Sequence, residues 1–168
     1  MKIFYRVILI QLLFSLILGA QISKEPYKKL EFIVGEWESN SINHISGKKI
    51  EGKSSIKWIL GKTWLQWKFT AQLEKGPIEV LTLINFSEEK RKYAFYSFNP
   101  FDDHPLPHFG DWISPEILRL EIEEKEGKTI VDIIVRKDGN FDQIHSRIKP
   151  TGEKIKRMTT RYSKIKSL

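Results

Sequence analysis

The chain has 168 residues, no cysteine and a formal net charge of +7. Without cysteine there is no disulfide framework, no thiolate metal centre and no thiol nucleophile, so a folded form must be held by packing alone. Lys149, Lys154, Lys156, Arg157, Arg161, Lys164 and Lys166 crowd the end against Glu153 alone. Spread over many turns, these charges read as the solvated face of a strand rather than a nucleic-acid surface, and the most they imply is weak attraction to anionic membranes.

Lys2 and Arg6 precede the apolar run Val7 to Leu18, and Gly19-Ala20 supplies small residues for cleavage. The run is shorter than the roughly 20 residues that a spanning helix needs. Residues 1–20 therefore read as a secretory signal peptide. That gives an extracytoplasmic address, periplasmic or secreted, with no stable membrane anchor after cleavage. No cysteine follows the small residues, which closes the lipoprotein route. Residues 21–29 form a short polar linker, and 30–166 are long enough for one domain with a sizeable core. Tyr27, Leu30, Ile33 and Val34 are spaced to share a face of one or two helical turns.

From Glu36 onward the apolar period is two, and turn residues recur at short intervals. Trp37, Ser39, Ser41 and Asn43 share one face of the first strand, and Ile50, Gly52, Ser54, Ile56, Trp58 and Leu60 one face of the second. Gly61-Lys62 is a two-residue turn. The third strand has the clearest inner face, Leu65, Trp67, Phe69, Ala71 and Leu73, with Trp64 out of pattern. Ile78 to Phe86 is apolar on both faces in its second half, which predicts cover on both sides from a loop or from the N-terminal turn. Lys92 to Phe98 is an aromatic-rich fifth strand, and Asn99 to His108, with three prolines, is a surface loop. Phe109 to Ile113, Ile117 to Glu124, Thr129 to Lys137, Phe141 to Ile148 and Lys154 to Ile165 complete about ten strands. With no long helix and no βαβ alternation, the class is all-β and antiparallel, a barrel or a sandwich. Ser, Thr and Asn fleck the inward faces, which fits a hydrated cavity better than a dry, filled core.

Gly35-x-Trp37 at the start of the first strand resembles the opening of lipocalins and related calycin barrels. More of the chain, Leu30 to Lys164, resembles a bacterial domain family of unknown function. The residues that carry the resemblance are Leu30 to Glu38, Ile59-Leu60-Gly61, Phe109-Gly110-Asp111-Trp112 and Met158-Thr159-Thr160-Arg161. It implies a lipocalin-like or nitrobindin-like β-barrel of about ten strands with a short N-terminal helical turn. It also implies that Gly35 and Trp37 close the bottom of the barrel with Arg161 lying across the indole. The family's Gly-Tyr-Asp after the fourth strand is replaced here by Ile84-Asn85-Phe86-Ser87. Nitrobindins hold haem through a histidine on a C-terminal strand; the last strand here has none, so haem is disfavoured and no cofactor is expected.

The aromatic strands point to a barrel that holds a small apolar or amphipathic molecule, such as a fatty acid, against Leu65, Trp67, Phe69 and Phe95. Arg147 or Arg161 would meet an acidic head group. A filled barrel serving as a protein-interaction module is the alternative. A third reading is a metal-dependent enzyme built on the loop from Asp102 to Asp111, with Asp103, His104 and His108 as ligands. The chain has no nucleophile elbow, phosphate loop or dinucleotide fingerprint and gives no ground for naming an enzyme. His145 shares a strand face with Gln143 and Arg147. An inward His145 could be a haem ligand or a general base; the opposite face, with Ile144 and Ile148, is the more apolar, so His145 is expected to point outward as an ordinary surface histidine.

Overall fold

In a computed structural model, which describes residues 25–101, 105, 107–124 and 126–165, alternation and turn chemistry resolve into one closed antiparallel sheet. The strands are β1 (Gly35–Asn43), β2 (Lys49–Ile59), β3 (Trp64–Leu73), β4 (Gly76–Ser87), β5 (Lys92–Phe98), β6 (Pro107–Ser114), β7 (Ile117–Glu124), β8 (Gly127–Val135), β9 (Phe141–Ile148) and β10 (Lys154–Lys164). Each pairs with the next, and β1 pairs with β10 to close the barrel, so no strand edge is left over. Residues 1–24, with the expected signal peptide and the first four residues of the linker, lie outside the described residues. Among the described residues no helix is long and apolar enough to cross a membrane.

The two halves of the barrel differ. In the lower half Trp37, Ile56, Leu65, Ile84, Leu118, Ile133 and Phe141 are fully buried and fill the interior. The N-terminal segment closes this end. Helix α1 (Glu25–Lys28) and a 3₁₀ turn (Glu31–Ile33) place Leu30 and Ile33 in the core. The Tyr93 hydroxyl donates to the Pro26 carbonyl at 2.8 Å, and Trp58 Nε1 donates to Glu31 Oε1 at 3.0 Å.

Two local expectations change. Leu60 leaves β2 and is 72% exposed, because Leu60–Lys62 is a 3₁₀ turn in which Leu60, Gly61 and Lys62 all have positive φ. The Thr63 amide and hydroxyl both donate to the Leu60 carbonyl and fix this wider turn. The N-terminal helix packs against β4. Leu83 on the outer face of β4 lies between Gln66 and Tyr96, its cross-strand neighbours, and Trp64 packs against Tyr96 at 5.9 Å on the same outer surface. Finally, β6 begins at Pro107, so the proline-rich loop is shorter than predicted.

Candidate binding cavity

Above the filled half, the strands enclose a cavity of about 590 Å³. Its floor is aromatic. Phe141 stacks on Tyr162 at 4.3 Å and meets Trp37 and Trp67 edge-on at 4.8 and 5.7 Å. Trp67 and Tyr162 present their upper surfaces to the cavity. Phe69, Phe95, Leu120 and Ile122 form apolar walls, and the exposed Phe101 stands at the mouth. Gly52 on β2 is shaped for this wall: a Cβ there would meet the Phe69 ring at 2.5 Å.

Several polar groups inside pair with one another. Ser41 and Thr160 share a hydroxyl hydrogen bond of 2.8 Å across the β1–β10 seam, and Thr82 and Ser97 share another of 2.8 Å between β4 and β5. The Tyr162 hydroxyl donates to Gln143 Oε1 at 3.1 Å, and Trp67 Nε1 donates to the Ser54 hydroxyl at 3.1 Å. Burial pushes the Tyr162 phenol well above its ordinary range. Burial, together with the nearby His108 and Arg157, pulls His145 down to about 4, so the imidazole is neutral at pH 7.

His145 therefore faces inward, against expectation. Phe141, Gln143, His145 and Arg147 lie on the inner face of β9, and Asp142, Ile144 and Ser146 lie outside. The outer face carries Ile144 and Ile148, and Asp142 is buried there by ion pairs to Arg136 and to Arg161, the latter at 3.1 Å. The in-phase, fully buried Phe141 was the signal that could have fixed the orientation.

Of the residues singled out for a ligand, Trp67, Phe69 and Phe95 line the cavity, while Leu65 lies one step lower in the filled half. Arg147 continues the inner face of β9 up to the rim, where it is 3.6 Å from Glu124 and 3.8 Å from Glu126. Arg161 is not over Trp37. It sits opposite Asn40, on the outer face, and Lys164 is the register partner of Trp37. The Lys164 ammonium lies 5.3 Å from the centre of the Trp37 ring. Gly35 makes room for it: its φ is +139°, and a Cβ would stand 3.1 Å from Lys164 Cε.

In the candidate metal loop, Asp103 and His104 lie outside the described residues. His108 lines the cavity, and Asp111 is exposed, accepting from the Trp112 amide at 2.7 Å. Among the described residues no three His, Asp or Glu side chains gather to hold a metal. Gln143, His145 and the two hydroxyl pairs are cavity residues that no motif marked.

Residues 23–98 match the model of a family described as protein of unknown function (DUF1579). No curated protein matches the chain. Among solved structures, the S-type phycobiliprotein lyase of Guillardia theta is similar, with 12% identity, a TM-score of 0.60, and cover of 89% of this chain and 96% of that one. A redesigned β-barrel matches more loosely, at 10% identity and a TM-score of 0.43, over 80% of this chain and 93% of its own. The likeness to the lyase is one of fold alone.

Proposed function

We propose that the protein is an extracytoplasmic barrel that binds a small apolar or amphipathic molecule. The observation that carries this is the cavity of about 590 Å³ over an aromatic floor, within the size and character of small-molecule sites. A fully filled interaction module fits less well, because only the lower half of the barrel is packed. A shared fold does not by itself name a ligand, so the reading rests on the cavity. The address rests on residues 1–20.

The test is uptake of N-phenyl-1-naphthylamine, a neutral apolar fluorophore, together with native mass spectrometry of protein purified from its own cells. Enhanced emission, lost when Leu120→Trp fills the cavity of a folded variant, is the expected result. Absence of uptake together with a clean apo mass would overturn the reading. The same purification reports the address: a mature N-terminus near residue 21 in the extracytoplasmic fraction is expected, and an intact Met1 in the cytoplasm contradicts it.

A further inference from the structure

The chain is 29% charged, yet among the described residues lining the cavity there is no Asp, Glu, Lys or Arg. The ionisable side chains among those described residues are His108, His145 and Tyr162. Tyr162 is a buried phenol that donates its proton to Gln143, and His145 is held neutral beside His108 and Arg157. The arginine that the sequence offered to an acidic head group, Arg147, is already compensated at the rim by Glu124 and Glu126.

What the walls do offer is neutral hydrogen bonding from two sides. Ser41 with Thr160 and Thr82 with Ser97 are hydroxyl pairs on different parts of the barrel wall. When two hydroxyls bond to each other, one hydrogen and several lone pairs remain for a third partner. These groups match an alcohol, ester, ether or amide. They do not neutralise a carboxylate or an ammonium, and an ion taken out of water without a partner is strongly disfavoured. Protonating His145 to meet an anion would work against its burial and against the nearby Arg157.

We infer that the cavity selects an uncharged amphiphile, whose hydroxyl or carbonyl head bonds to either the Ser41–Thr160 or the Thr82–Ser97 pair, and that it discriminates against ionised lipids such as fatty-acid anions. This rests on the binding reading above and deepens it.

The experiment is displacement of N-phenyl-1-naphthylamine at pH 7 by amphiphiles of one chain length, each below its micelle concentration: dodecan-1-ol, methyl dodecanoate, dodecanoate and dodecyltrimethylammonium. The two neutral molecules should displace the probe at concentrations roughly tenfold or more below either ion, as expected for leaving a buried charge unpaired. Dodecanoate or the ammonium displacing as well as the alcohol would overturn the inference and leave the binding reading standing. Failure of the naphthylamine to enter at all would remove the binding reading and this one with it. Met158→Arg supplies a second arm by adding a cation to the wall near the mouth. It should gain dodecanoate binding while keeping the barrel's circular dichroism, and an unchanged preference in that folded variant would count against the role of wall charge.

Discussion

The ammonium of Lys164 stands 5.3 Å from the centre of the Trp37 ring, and the Trp37 indole donates to the Ile33 carbonyl at 2.8 Å. One side chain thus ties the first strand, the last strand and the N-terminal turn together. Trp37→Ala should cost about 3–5 kcal/mol, and Lys164→Met about 0.5–1 kcal/mol, read as the urea midpoint by circular dichroism. Arg161→Met should leave the Trp37 emission unchanged. A shift of that emission as large as the one from Lys164→Met would put the arginine back over the ring.

On the outside of the barrel, Asp142 is held between Arg136 and Arg161. Burial alone would raise its pKa, but hydrogen bonds from Arg161 and Arg136 outweigh that and hold the carboxyl below its usual range. Its contribution is therefore complete above the unfolded carboxylate pKa, near 4, and is lost as pH falls through the lower folded value. Asp142→Asn should destabilise by about 1–2 kcal/mol at pH 7, with the difference from the native chain shrinking toward pH 3. A difference that stays constant down to pH 3 would show that the charge is not what matters.

His145 sets a second, higher window. Free imidazole takes up a proton near pH 6.5, but in the fold it does so only near 4. Protons between those values favour the unfolded chain, so stability is full above pH 6.5 and declines below it. The loss by pH 5 should be about 2 kcal/mol. His145→Gln should flatten it, and the His145 ring resonance should not titrate above pH 5. An imidazole that titrates near 6.5 would mean that it is open to water.

The Tyr93 hydrogen bond to Pro26 anchors the plug beneath the barrel. Tyr93→Phe should cost about 1 kcal/mol. It should also speed hydrogen exchange at the Leu30 and Ile33 amides, which bond within the plug, more than at β4. Equal acceleration everywhere would show that the plug and the barrel open as one unit.

The strand plan was legible because the residues that alternate in the sequence are those that alternate across the wall. Ser39 and Ser41 followed Trp37 inward although their chemistry is polar. Two features were not legible, for different physical reasons. For His145, a comparison of faces counted apolar residues, but the inner face of β9 opens into a polar-flecked cavity, while outside the Asp142 carboxylate is buried by salt bridges. Arg161 was misplaced because resemblance supplied a basic residue without a register. Pairing sets Lys164 opposite Trp37 and turns Arg161, an odd number of positions away, to the other side. Side-chain period is local, whereas register is decided by a strand more than a hundred residues distant.

That distance has a kinetic consequence. Nine of the ten strand pairings join neighbours in the chain, but the β1–β10 seam joins its two ends. The Ser41–Thr160 hydroxyl pair and the Trp37–Lys164 contact both lie on this seam. A growing chain can form the meander from β1 to β9 and still hold two open edges, and it pays the largest loop-closure entropy at the final step. The cavity wall, the indole lock and protection from edge-to-edge association are thus completed together, when β10 arrives. A chain cut after Ile148 would be a template for its own aggregation rather than a smaller barrel.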